Sequence, residues 1–279
     1  MSPTIAIVGT STGIGLNLVR HFLQAGYRVV ALSRQPEVIW RKVSADPKIM
    51  AAISGSLEEH LRLMTYDEFG PESALGDFTI DHFINVSGRG GINLNRGSIL
   101  SGSKSTFKPG PSAERSPTSG SSPTDRLKEM LEVNTLFVLE MVDRQWSYFK
   151  NRRSHSSDST GNAPSIPNRS ITMVSSLSVN RRGPTQFEYS VSKLAINKLL
   201  LDYAPILIKE QIRLNEIRLG YVEDTEITRA CGDYNQKIQD RLPTQKKTIH
   251  HHEIFQLMQT VINTQSIVGS SLEMNNASL

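Results

Sequence analysis

Apolar and polar positions follow two rhythms along this chain, one of buried strands and one of amphipathic helices. Thr4 to Val8 is a short β-rich apolar run that stops at Gly9, the pattern of a parallel strand covered on both faces. The turn residues Gly9-Thr10-Ser11-Thr12-Gly13 follow. From Ile14 to Ala25 the apolar positions Ile14, Leu18, Phe22 and Ala25 fall at helical spacing. Gly26 stands where a residue just past a helix end is expected, and Tyr27 to Leu32 reads as a second strand. This strand-helix-strand opening predicts a right-handed crossover and a parallel sheet.

The rhythm repeats more loosely downstream. Further strands are predicted at Leu61 to Tyr66, Asp81 to Val86, Ser170 to Val174, Ile212 to Leu219 and Ile267 to Met274. One helix is predicted over Arg126 to Phe149, through Leu127, Leu131, Leu136, Val138 and Met141. Another runs over Tyr189 to Ile208, where Pro205 is expected to bend or interrupt it. The alternation predicts an α/β fold, a doubly wound parallel sheet of the Rossmann type, in a single domain over residues 1–279. Two Ser/Pro/Gly-rich stretches, at about 93–125 and 152–168, read as insertions. The first follows the carboxyl end of the fourth strand, where open α/β sheets bind ligands, so it is either a substrate lid or a surface loop. The second precedes a strand and belongs on the opposite edge.

Length and charge narrow this picture. A chain of 279 residues buries a large core. The net charge of +4 is spread without single-sign blocks and is no nucleic-acid signature. Cys231 is the sole cysteine, so no internal disulfide forms and a reducing compartment is expected. Met1-Ser2-Pro3 lacks the basic and apolar regions of a signal peptide, and no apolar run reaches the length of a membrane span. A soluble, cytoplasmic protein with no nucleic-acid or membrane partner is expected.

Gly9, Gly13 and Gly15 lie between the first strand and the first helix, where small residues let the backbone approach a pyrophosphate. The N–H groups of the helix start, with Ser11 and Thr12, are candidate phosphate donors. An acidic residue at the end of the second strand would select a ribose 2′-hydroxyl, but Ser33-Arg34 stands there, and Arg34 suits a 2′-phosphate. NADP(H) is the expected cofactor. Tyr189 and Lys193 are four apart and share a helix face. A free phenol titrates near about 10, and a neighbouring ammonium is expected to lower that value until the phenol works as an acid or base.

Together these segments resemble a short-chain dehydrogenase/reductase along nearly the whole chain. Gly9-Thr10-Ser11-Thr12-Gly13-Ile14-Gly15 matches the family's cofactor turn, and Asn85-Val86-Ser87-Gly88 resembles its Asn-Asn-Ala-Gly segment with two substitutions. Asn134 matches the helix asparagine, and Ser176 lies thirteen residues before Tyr189, the family spacing. Ile267 to Leu272 resembles the family's C-terminal Thr-Gly segment. The resemblance implies that Tyr189 exchanges a proton with the substrate oxygen and that Lys193 tunes it and binds the nicotinamide ribose. It also implies that Ser176 holds the substrate oxygen and that Asn134 kinks its helix and anchors a proton-relay water. The implied cofactor contacts are Gly9, Ser11, Thr12, Gly13, Ile14, Gly15, Ser33, Arg34, Asn85, Val86, Ser87, Gly88, Tyr189, Lys193, Val222 and Thr225. The implied partner is a small carbonyl or alcohol substrate, and the implied assembly a homodimer or homotetramer packed through the Arg126 to Phe149 and Tyr189 to Ile208 helices.

The chain departs from the family where Leu219-Gly220-Tyr221-Val222 replaces Pro-Gly, which puts the nicotinamide threonine one residue late, at Thr225. Ser87 replaces an alanine. Glu223 to Leu242 corresponds to the substrate lobe, where Ile227, Tyr234 and Ile238 either line a pocket or pack a helix. His250-His251-His252 cannot all face one ion on a regular element, so no metal is expected. Trp40 and Trp146 are expected to pack rather than to stack on a ligand. Two other functions remain open: a non-redox step such as isomerisation, and a regulatory protein that binds NADP(H) without turnover.

Overall fold

The structure is a computed structural model that describes residues 3–69, 75, 77–88, 123–154, 168–180, 187–225, 228 and 248–275. Its first unit is β1 (Thr4–Val8), α1 (Gly13–Gln24) and β2 (Arg28–Leu32), followed by three short helices, α2 (Pro36–Ser44), α3 (Pro47–Ala52) and α4 (Leu57–His60). Then come β3 (Leu61–Met64), β4 (His82–Asn85), α5 (Pro123–Leu131), α6 (Phe137–Ser154) and β5 (Arg169–Ser176). The chain continues through α7 (Phe187–Leu207), β6 (Ile212–Leu219), α8 (His251–Asn263) and β7 (Ser271–Met274).

The strands form one seven-stranded sheet in the order β3-β2-β1-β4-β5-β6-β7, and every pairing is parallel. Strand order reverses between β1 and β4, which opens the crevice where doubly wound sheets bind ligands. Side chains alternate across each strand, so β1 feeds two cores. Ile5 and Ile7 pack with Leu18 and Phe22 of α1 and Ile254, Met258 and Val261 of α8. Ala6 and Val8 pack with Val142 and Phe149 of α6 and Ile196 and Leu200 of α7. Trp40 packs against the first core and Trp146 against the second. A buried guanidinium fastens α8 to the sheet. Arg213 on β6 donates to the carbonyls of Val261, Ile262, Thr264 and Ile267 at 2.8–3.1 Å, placing a cation at the carbonyl-rich end of a helix.

Three expectations change. Pro205 does not interrupt its helix, because α7 is continuous to Leu207 and a 3-10 turn, Ile208–Glu210, follows. The proline frees the carbonyl of Leu201, and Leu201 is exposed, so water can satisfy it. The helix predicted from Arg126 to Phe149 is split into α5 and α6 by a π turn at Glu132–Leu136. The insertion bounds are also too wide. Residues 123–125 belong to α5, and 152–154 to the last turn of α6, where Arg152 donates to Tyr148 Oη and Thr79 Oγ1 at 3.0 Å. Of the remainder of both insertions only Asn168 is described, donating to the Ile262 carbonyl at 2.8 Å and accepting from Arg213 at 2.7 Å; the rest lies outside the described residues, as do Cys231, Ile227, Tyr234 and Ile238. No helix among the described residues is long and apolar enough to cross a membrane.

Candidate active site

β1 and β2 end in register, so the turn after β1 meets the residues after β2 and β4 at the carboxyl edge of the sheet. Gly9 has φ +90°, and a Cβ there would lie 2.8 Å from the Ser87 backbone. A Cβ on Gly15 would lie 2.1 Å from the Gly9 carbonyl oxygen, so the helix approaches the turn this closely only because Gly15 lacks one. Nothing lies within 4 Å above Gly13. Thr12 at the N-cap makes no side-chain capping bond, and the first turn of α1 holds no acidic residue. The Ser87 hydroxyl, at the bottom of the same crevice, is buried without a hydrogen-bond partner. A cradle of unbonded helix N–H groups beside an unpaired hydroxyl fits an anionic group such as a pyrophosphate.

The chemistry at the end of β2 differs in detail from the expectation. Ser33 is fully buried, and its Oγ is 2.7 Å from Ser11 Oγ and accepts from Gln35 N at 3.1 Å. It braces the turn rather than facing solvent, and Arg34 beside it is exposed. Lys42 of α2 reaches the same turn, with Nζ 3.2 Å from the Ser11 carbonyl oxygen. The sequence reading missed Lys42, because 31 residues separate it from Ser11 and nothing local ties them.

Asn85 also behaves differently. Its amide exchanges two hydrogen bonds with Gln145 of α6, at 3.0 and 2.7 Å, both groups fully buried, so its side chain faces away from the crevice. Val86 N donates to the Val8 carbonyl at 3.0 Å, which holds the segment after β4 against β1. Val222 is buried and bridges to Ile249, while Thr225 Oγ1 accepts from Thr228 N at 3.1 Å and also meets the Thr228 hydroxyl.

The four residues assigned catalytic roles come together. Ser176 closes β5 and its Oγ accepts from Ser178 N at 3.2 Å. Lys193 is buried on α7, with Nζ 6.0 Å from the ring centroid of Tyr189. A Cβ on Gly88 would lie 2.8 Å from that Nζ and 3.3 Å from Asn134 Oδ1, so the glycine leaves room for the ammonium and the amide. Asn134 sits inside the π turn, a distortion frequent at functional sites, and donates to Ser192 Oγ at 3.0 Å. Ser192 Oγ in turn donates to the Tyr189 carbonyl at 2.7 Å, and Thr135 Oγ1 to the Ser192 carbonyl at 2.9 Å. These bonds fix the wide turn against the tyrosine's own turn of α7. Arg126 of α5 pairs with Glu188 at 3.3 Å and clamps the start of α7.

Electrostatics at the pair run against the simplest expectation. Burial raises the Tyr189 phenol above its ordinary value, and its hydrogen bond with Ser176 only partly offsets this. Burial pulls Lys193 down to about 8, opposed by the charge of Glu216. The phenol is therefore held protonated, as a proton donor, and the lysine is poised close to losing its charge.

No protein-family model and no curated protein matches the sequence. Solved structures do. The 3-ketoacyl-(acyl-carrier-protein) reductase of Brucella melitensis complexed with NADH is similar at TM-score 0.70 and 18% identity, over 99% of this chain and 98% of that one. The Pseudomonas aeruginosa RhlG/NADP active-site complex is similar at TM-score 0.68 and 17% identity, over 100% and 98%. A short-chain type dehydrogenase/reductase of Mycobacterium ulcerans is similar at TM-score 0.66 and 13% identity, over 99% and 90%. An all-parallel sheet reversing at β1 and β4, shared over the whole length of such enzymes, gives this chain the fold of the short-chain dehydrogenases/reductases.

Proposed function

We propose that this chain is a short-chain dehydrogenase/reductase that interconverts a carbonyl and an alcohol with NADP(H). The observation that carries the reading is the convergence of Ser176, Tyr189, Lys193 and Asn134 beside an anion-binding turn at the carboxyl edge of the sheet. When bound, the dinucleotide supplies or accepts the hydride at the substrate carbon. Tyr189 gives its phenolic proton to the carbonyl oxygen in reduction and takes it back in oxidation. Ser176 orients that oxygen. Lys193 stabilises the phenolate left behind and binds the nicotinamide ribose, and Asn134 in the π turn connects the lysine to a proton-relay water. Residues 9–15 and 85–88, with Val222 and Thr225, line the dinucleotide.

The preference for NADP(H) rests on Arg34 and Lys42, two cations flanking the Ser11–Ser33 contact, with no carboxylate at the end of β2. The solved structures it is similar to include complexes with NADP and with NADH, so the charge at this ledge carries that argument. A second copy of the chain is the expected macromolecular partner. Phe187, Leu194, Leu201 and Ile208 are large, exposed and spaced by seven, and Val133 and Leu136 add to the exposed apolar side chains.

A panel of aldehydes, ketones and alcohols with NADPH or NADP⁺ tests the reading. Turnover is expected with some member, and Tyr189→Phe is expected to lower kcat/KM by about a hundredfold or more while leaving dinucleotide binding intact. Undiminished turnover in Tyr189→Phe would refute the assigned role. Product formation without net NADPH change would point to a non-redox reaction, and binding without any turnover to a regulatory protein.

A further inference from the structure

Glu216 lies within β6, opposite Met173 of β5, and is completely buried. Burying a carboxylate is costly unless it is bonded and balanced by charge. Its hydrogen bonds all fall on one oxygen: Oε2 accepts from Ser271 Oγ at 2.6 Å, Asn197 Nδ2 at 2.9 Å and Arg218 Nε at 3.1 Å. Oε1 is buried with no hydrogen-bond partner. Arg218 does not cancel the charge alone, because its Nη1 also reaches Glu273 Oε1 at 3.3 Å. Arg218 is thus shared between the carboxylates of Glu216 and Glu273. Asn197, which touches Glu216, sits one helical turn along the same face of α7 from Lys193. Lys193 is itself buried.

We propose that Glu216 is a positioning residue of the candidate site: a carboxylate beneath α7 that holds Lys193 as an ammonium. The proposal rests on the reading of Lys193 as the lysine beside the reacting tyrosine. Among the described residues the groups facing the pair are few. Lys193 reaches Gly88, beside which Asn134 also lies, and faces the Tyr189 ring on the crevice side, and its carbonyl accepts from Ser175 Oγ at 3.4 Å. Glu216 meets Asn197 from α7, Arg218 on its own strand, and Ser271 from β7, with Glu273 beyond Arg218. The charge balance follows from burial. Taken out of water, Lys193 loses affinity for its proton, and Glu216 restores part of it. A neutral Lys193 would neither stabilise a phenolate nor attract a dinucleotide.

The test needs no ligand. In full-length protein carrying 13Cε-labelled lysine, the Lys193 signal is assigned by its loss in Lys193→Arg and followed against pH. Glu216→Gln is expected to lower its titration midpoint by roughly one pH unit. Glu216→Asp, which keeps the charge, is expected to stay close to wild type. If Glu216→Gln does not fold, Glu216→Met carries the test, because it removes the same charge and suits an apolar interior. An unmoved midpoint in Glu216→Gln, or in its absence in Glu216→Met, overturns the proposal. Turnover is scored separately. A moved midpoint in a protein that turns over nothing keeps the coupling and removes the catalytic reading. An unmoved midpoint in an active enzyme does the reverse.

Discussion

His82 lies at the first position of β4, buried, with Nδ1 2.9 Å from Ser170 Oγ. Burial, reinforced by the charge of Arg213, holds its imidazole down at about 3. The unfolded chain takes up this proton below its ordinary value of about 6.5 and the folded one does not. The stabilisation is therefore complete above about 6.5 and is lost as pH falls toward 3, at up to about 1.4 kcal/mol per pH unit. In urea melts, His82→Asn should lose less stability than wild type between pH 6 and pH 4. Parallel curves for the two proteins would refute the assignment. At this scale the candidate site was partly legible. Tyr189 and Lys193 share a face by helical spacing alone, and Ser176 and Asn134 were placed by matching motifs. The orientations of Ser33 and Asn85 were not legible, because their partners Ser11 and Gln145 are 22 and 60 residues away and only the folded sheet brings them near. Glu216 left a visible sign, a carboxylate inside an otherwise strand-like run, that the reading passed over.

The strands were legible as apolar runs bounded by turn residues, except β6 and β7, where polar side chains are interleaved with the apolar ones, and the structure shifts most of their ends by only one or two positions. The short helices α2, α3 and α4 were missed, since nine, six and four residues carry little periodicity. The π turn gave no periodicity signal of its own, and only the resemblance, which implies that Asn134 kinks its helix, pointed to it. Among these elements α2 bears on the proposed preference for NADP(H). It presents Lys42 to the turn after β1, while the end of β2 presents Arg34. Arg34→Ala is expected to weaken NADPH binding about tenfold, with NADH nearly unaffected, and adding Lys42→Ala should deepen the loss. Fluorescence titration with both nucleotides checks this. Equal losses for NADPH and NADH would remove the 2′-phosphate assignment.

The doubly wound architecture followed from the alternation of runs, whereas the expected pairing of copies through the Arg126 to Phe149 and Tyr189 to Ile208 helices came only from the family resemblance. The stripe Phe187, Leu194, Leu201 and Ile208 repeats every seven residues, a period that keeps one line of a helix facing a partner. Leu201 is 60% exposed, so Leu201→Lys should leave the fold and its far-UV circular dichroism unchanged. Sedimentation is expected to show wild type as a dimer or tetramer and the variant as smaller species. A monomeric wild type would dismiss this surface. On the same side of the sheet, the reciprocal amide bonds between Asn85 and Gln145 join β4 to α6. Neither amide can rotate toward the crevice without stranding the other in an apolar interior. The inner wall of the cleft is thus a fixed abutment.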